Sequence, residues 1–362
     1  MTRPDAPAPN RRRGPRPLLL HLANADPPLI QGIAAYRRHP AHRTLIDPPV
    51  IWTEGDARLL DFNPAGSPTV LFVPSLVNRA YVLDLAPGRS MMRWLADAGV
   101  RPLLLDWGWP GAVERRYTLT DVIAGPMERV LAAAASTVPA PGMPAPVLPA
   151  PVVLAPVVLA GYCMGGLLTL ALALRRPEHV RALALLATPW SFVPGPVAAL
   201  LPSMEPALAM TGTLPVDALQ ALFAAVEPGS VAQKFRRFAT LDPDSPAAHD
   251  FVALEDWLND GVPLAAPIAR EVLGEWYGHN TPGRGLWRVA GEPIRPEHLR
   301  VPTWIAAPQR DRIVPPESAL PLADLIPSAI LHRPGSGHIG MTAGPRAQNA
   351  LWMPMLAWLR SL

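Results

Sequence analysis

Val157-Val158-Leu159-Ala160-Gly161-Tyr162-Cys163-Met164-Gly165-Gly166, followed by the apolar stretch Leu167–Arg175, decides how this chain folds. Val157–Ala160 is a short continuous apolar run of the kind a strand shows when it is buried on both faces. Leu167–Arg175, closed by Pro177, reads as a helix. Between them, a G-x-C-x-G turn has the glycine spacing of a nucleophile elbow. The middle residue sits there in a strained turn, and side chains two positions either side would strike neighbouring backbone. The turn lifts the Cys163 sulfur above the carboxyl edge of the sheet and aims a helix N-terminus at it, which favours thiolate.

The same pattern extends outward. Val50–Thr53 and Arg58–Phe62 flank Glu54-Gly55-Asp56 and read as a hairpin. Thr69–Val73, Pro102–Asp106 and Ala182–Leu186 are further strands, separated by helices over Ser90–Ala98 and Leu119–Ala135. Thr303–Ala307, Ala329–His332 and a terminal helix Pro345–Leu362 resume the alternation after a gap. This predicts an α/β protein with a doubly wound, mostly parallel sheet and an inserted helical cap. The expected organisation is a basic flexible N-terminal arm over 1–45, a core over 46–188 and 301–362, and a cap over 189–300. Val152–Pro156 echoes Val157–Ala160, a local duplication in the proline-rich loop 136–151 and its flank.

Composition narrows the function classes. Hydrophobic residues make up 49% and charged residues 17%, which excludes a polar disordered chain. The 48 prolines exclude a long-helix bundle. The net charge of +3 is unevenly placed: Arg3, Arg11, Arg12, Arg13, Arg16, Arg37, Arg38 and Arg43 face only Asp5 and Asp26 in residues 1–45, so the rest is net negative. A nucleic-acid reading therefore has little basis in the catalytic body. The single cysteine excludes an internal disulfide and suits a reducing, cytoplasmic setting. Pro17–Leu22 is too short, and too interrupted by His21, for an export signal. No uninterrupted run is long enough for a transmembrane segment. No HExxH, histidine cluster or phosphate loop is present, so neither a metal nor a cofactor is expected.

A cysteine nucleophile needs a base, and the base needs an orienting carboxylate. In α/β-hydrolase order these follow as acid and then histidine. Asp311 lies in Pro308–Pro315 beyond the Thr303–Ala307 strand, and His338 in Gly335-Ser336-Gly337-His338-Ile339-Gly340 beyond the next. The oxyanion donors expected are the backbone N–H of Met164 and one from the Pro74–Asn78 loop, Val77 in preference to Leu76. Tyr162, Trp190 and Trp257 are candidates for lining a substrate channel. Gly340–Gly344 also fits G-x-T-x-G, but it follows a loop and not a buried strand.

These residues resemble the polyhydroxyalkanoate synthases, α/β-hydrolase-fold polymerases that use a cysteine. The likeness runs over about residues 50–345 and is carried by Pro74–Leu85, Gly88-Arg89-Ser90, Leu105-Asp106-Trp107-Gly108, Gly161–Gly166, Asp311–Pro315 and Ser336–Ile339. It is similar above all to the short catalytic subunit of two-subunit synthases. The resemblance implies an acyltransferase that polymerises 3-hydroxyacyl-CoA through an acyl-cysteine on Cys163. His338 would be its base and Asp311 the orienting group, and the coenzyme A thioester is substrate, not cofactor. It further implies as partners the growing polyester chain, a second synthase subunit and a second copy in a homodimer, at a cytoplasmic polyester granule surface. The alternative is a cysteine-nucleophile hydrolase: a thioesterase, an esterase or an intracellular polyester depolymerase.

Overall fold

The apolar runs become neighbouring strands of one sheet. The computed structural model describes residues 26–136, 155–193, 196–226 and 229–362. In chain order the strands are β1 (Val50–Glu54), β2 (Ala57–Asp61), β3 (Thr69–Val73), β4 (Arg101–Asp106), β5 (Val157–Tyr162), β6 (Val180–Leu186), the short β7 (Thr213–Leu214), β8 (Leu264–Ala265), β9 (Arg288–Val289) and β10 (Glu292–Pro293), then β11 (Thr303–Ala306) and β12 (Ala329–His332). The eight-stranded sheet has the order β1-β2-β4-β3-β5-β6-β11-β12. The β1–β2 hairpin and the β2–β4 pair are antiparallel, and the other pairs are parallel. Gly55 turns the hairpin at φ 58°.

Burial follows strand position. Every residue of β5, which lies in the middle of the sheet between β3 and β6, is buried. Its register against β3 and β6 brings Gly161 beside Val73 and Leu185. At the edge, Ile330 and Leu331 of β12 are 56% and 41% exposed, because nothing further pairs with that strand within the sheet.

The helices differ from expectation where proline intervenes. Ser90 caps the helix Met91–Asp97 by accepting from the Arg93 N–H at 2.9 Å. The helix expected over Leu119–Ala135 starts on a capping box, Thr118 with Asp121, and then widens over Ile123–Met127 before regular winding resumes at Glu128–Ala135. Pro126 lies in the wide turn, where its missing N–H and its ring prevent a regular i→i−4 bond. The terminal helix likewise opens with a wide turn, Gln348–Trp352, before Met353–Arg360, which holds Pro354 in its first turn.

Between β6 and β11 the chain leaves the main sheet, over the stretch read as the cap. Chain contacts divide the protein into two compact units. The described residues of the smaller are 26–42 and 229–255. It holds the helices Pro27–Arg38 and Ser230–Phe238 around Leu29, Tyr36, Phe235, Phe238, Ala248 and Val252. Part of the expected flexible arm is therefore a helix. Asp26 caps it, prolines fill its first turn where N–H groups have no helical acceptor, and Leu29, Gly32 and Tyr36 are buried. Residues 1–25 of that arm, and most of the 136–151 loop with its Val152–Pro156 flank, lie outside the described residues.

The larger unit, residues 43–226 and 256–362, contains the sheet. Its core includes Leu71, Leu103, Leu159, Leu168 and Leu183, all fully buried. An aromatic group, Trp190, Phe192, Trp276 and Trp287, joins that same core from the stretch after β6.

Candidate active site

Cys163 follows β5 directly, in the positive-φ half of backbone space, at φ 56° and ψ −127°. A non-glycine residue there costs about 1–3 kcal/mol and persists only when its surroundings enforce it. Two bonds do so: the Cys163 N–H donates to the Leu186 carbonyl at 2.8 Å, and the Gly166 N–H donates to the Cys163 carbonyl at 3.0 Å. The flanking glycines are dictated by space. A Cβ on Gly161 would collide with Thr169 Oγ1 and Gly166 Cα, and one on Gly165 with the carbonyls of Val73 and Pro74. The turn is thus pressed against its own helix and against the end of β3.

The loop after β11 supplies Asp311, which is buried. Its Oδ1 accepts from the backbone N–H groups of Ile313 at 2.9 Å and Val314 at 2.8 Å. Its Oδ2 accepts from His338 Nδ1 at 2.7 Å. Both carboxylate oxygens are therefore occupied, and the side chain is oriented by its own turn. His338 is 7% exposed, and with Nδ1 engaged it keeps Nε2 for Cys163. Burial works against a charge on His338, but the negative charge of Cys163, the Asp311 bond and a hydrogen bond to Cys163 together outweigh it. The ring is raised from 6.5 to about 10.

Met164 begins the helix Met164–Arg175. Its N–H is one of the four that a helix leaves without an acceptor of its own, where an oxyanion donor is expected. The Val77 N–H is engaged, donating to Ser75 Oγ at 3.4 Å, a long bond that a better acceptor can displace. The Val77 carbonyl accepts from the Val262 N–H at 3.2 Å, tying this loop to the segment before β8.

The three aromatic candidates go to different places. Tyr162 lies against His338, with ring centroids 5.1 Å apart and a 32° tilt, and its hydroxyl donates to the His338 carbonyl at 3.3 Å. Trp257 is buried, and its Nε1–H donates to the Arg79 carbonyl at 2.8 Å, which fastens the loop after β3. Trp190 stacks edge-on with Trp287 in the aromatic core. The indole N–H groups of Trp190 and Trp287 are buried without a protein acceptor.

Tyr277 is a residue that sequence reasoning missed. Burial first, and then its electrostatic interaction with Cys163, push its phenol up to about 12. Phe192 packs edge-on against it at 5.0 Å, and the Phe192 N–H donates to Asn280 Oδ1 at 2.9 Å. No local motif marks Tyr277, because only the folding of the segment after β8 brings it towards the elbow. An apolar cavity of about 70 Å³ lies between Leu76, Trp107, Tyr117, Val262 and Ile268. Cys163 is not part of its lining. Among the described residues no group of three His, Cys, Asp or Glu side chains is placed to hold a metal, and no helix is long and apolar enough to cross a membrane.

Residues 152–345, more than half of the chain, match the alpha/beta hydrolase fold family. The chain belongs to that family. Its curated relatives are poly(3-hydroxyalkanoate) polymerases and their subunits. The poly(3-hydroxyalkanoate) polymerase subunit PhaC of Haloferax mediterranei is 27% identical over 325 residues, which cover 85% of this chain and 63% of the relative. That of Haloarcula marismortui is 26% identical over 298 residues, 80% of this chain and 60% of the relative. The Allochromatium vinosum subunit is 28% identical over 309 residues, covering 82% of this chain and 83% of its own length. The chain thus spans less than two thirds of its two haloarchaeal relatives. Among solved structures, BpoC from Mycobacterium tuberculosis superposes with a TM-score of 0.53 at 16% identity, covering 88% of this chain and 99% of its own. The thioesterase domain from the curacin biosynthetic pathway does so with 0.52 at 14%, covering 88% and 100%. At such identities these two likenesses concern the fold alone.

Proposed function

We propose that this alpha/beta hydrolase-fold protein is a polyhydroxyalkanoate synthase-like acyltransferase with a Cys163–His338–Asp311 triad. The observation that carries this reading is the sole cysteine of the chain at the strained elbow, beside a buried His338 bonded to Asp311, in a chain whose relatives are polyester polymerases. The Cys163 thiolate attacks the thioester carbonyl of a 3-hydroxyacyl-CoA. The developing oxyanion accepts from the Met164 N–H and from Val77 once it leaves Ser75. Collapse breaks the bond to the coenzyme A sulfur, which takes its proton from His338, and leaves an acyl-cysteine. Neutral His338 then removes the proton from the 3-hydroxyl of a bound unit. That oxygen attacks an acyl-cysteine, forms the ester and returns the sulfur to Cys163. Asp311 orients the ring throughout.

Coenzyme A thioester and growing polyester are the substrates in this scheme. A second synthase subunit, a homodimer and a cytoplasmic granule surface belong to the same proposal. Purified protein with 3-hydroxybutyryl-CoA tests it: thiol release accompanied by polymer and an acyl adduct on the intact protein is the expected result. Thiol release with free hydroxy acid and no polymer overturns it in favour of a cysteine hydrolase.

A further inference from the structure

Tyr162 was expected to line a channel, yet its contacts go to the histidine. The phenol is 4% exposed, and a buried hydroxyl needs a partner. It donates to the His338 main-chain carbonyl at 3.3 Å. Thr342 donates to the Ile339 carbonyl at 3.0 Å within the turn that follows His338, so the phenol's bond to His338 fastens that turn to the end of β5. The ring adds a second hold, 5.1 Å from the imidazole with a 32° tilt. That separation lies within the range in which an aromatic face attracts a cation. An apolar side chain would fill this position without needing any polar partner.

Resting on the Cys163 reading above, we propose that Tyr162 is a positioning residue. Its hydroxyl holds the backbone of His338 and its ring supports the charged imidazole, so that Nδ1 stays on Asp311 and Nε2 stays with Cys163. The ionisable groups about this ring are Cys163 on the elbow, Asp311 after β11 and Tyr162 on β5, with Tyr277, from the segment after β8, coupled electrostatically to Cys163. Tyr162 immediately precedes the nucleophile, so the strand that strains Cys163 also carries the hold on its base.

Cys163 is the only cysteine of the chain, so alkylation by iodoacetamide reports on it alone and needs no acyl substrate. The test compares alkylation rate against pH for the full chain and for Tyr162→Phe, Tyr162→Met and Tyr162→Leu, with folding checked by thermal unfolding. Phenylalanine keeps the ring, so its rate at pH 6 is expected within about threefold of the parent's. Whichever of the methionine and leucine variants folds loses both holds, and its rate at pH 6 is expected to fall about five- to tenfold, the ratio that roughly 1–1.4 kcal/mol of lost cation–aromatic attraction yields. Its kcat with 3-hydroxybutyryl-CoA is expected to fall while KM stays within about twofold. Non-aromatic and parent profiles that superimpose overturn the proposal. If none but the phenylalanine variant folds, its His338 ring nitrogen spectrum decides: Nδ1 still bonded to Asp311 supports the ring's hold, and a ring released from Asp311 overturns it. Turnover that survives Cys163→Ala sinks the functional reading instead, and leaves these alkylation profiles intact.

Discussion

Cys163 and His338 act on one another, so each predicts the other's behaviour. Cys163→Ala removes the proposed nucleophile, and turnover is expected to fall by at least about 10³-fold with no acyl adduct by mass. Retained turnover would assign the nucleophile elsewhere. The same substitution leaves burial opposing the charge on His338 while removing the negative neighbour that favours it. The ring should therefore titrate well below its native value of about 10, as read by nitrogen NMR of the imidazole. An unchanged titration would mean that Asp311 alone holds the charge. Asp311→Asn keeps the shape of the side chain but presents an amide to Nδ1, and kcat is expected to fall about 10²–10⁴-fold. Little change in kcat would show that ring orientation does not depend on the carboxylate.

At the scale of elements, the site depends on how closely the strand ends approach. Gly165 abuts the last residue of β3, so Gly165→Ala must push the helix Met164–Arg175 away from the sheet. The expected cost is about 1–3 kcal/mol in urea unfolding, with slower Cys163 alkylation. An unaffected alkylation rate would detach the elbow's geometry from that contact. Further out, Asp84 is buried and accepts from Arg43 and from Arg93, at 2.8 Å in each case. It ties the chain before β1, the turn after β3 and the helix Met91–Asp97 together. Asp84→Ala removes charge-assisted hydrogen bonds to two partly exposed arginines and is expected to cost about 1–3 kcal/mol. A urea midpoint that does not move would show those elements to be held by apolar packing alone.

Across the whole molecule, opposite ionisations bound the pH range of stability. Glu128 is drawn upward by burial, but its bonds to Arg176 and Arg175 prevail and hold it below the usual 4.5. Its contribution is present above that value and fades as pH falls below it. His338 behaves in the reverse sense. Its raised value means stabilisation fully present below 6.5 and lost as pH rises through about 10. Urea unfolding between pH 6 and 10 should therefore show a loss in the native chain that His338→Gln does not share. Parallel curves would remove the histidine from that balance.

The strands of the sheet and the elbow were legible in the residues because their constraints are local. Thr69–Val73 and Val157–Ala160 have no polar side to offer solvent, and Gly161 and Gly165 allow a turn that larger residues forbid. Asp311 and His338 were legible for a related reason, since each follows a strand whose carboxyl end must face the elbow. The wide turns at Pro126 and just before Pro354 and the helix Pro27–Arg38 were less so, because one proline can start, widen or stop a helix according to its neighbours. Tyr162, Trp257 and Tyr277 could not be placed from sequence at all. An aromatic side chain near a nucleophile reads alike whether it lines a channel, clips a loop or braces a base. Sequence alone determined the strand order and where the elbow, Asp311 and His338 fall in it, through short-range sterics and burial pattern. Only the tertiary structure decided which groups brace it, because those contacts join residues as far apart as Tyr162 and His338, whose meeting depends on how the whole sheet closes.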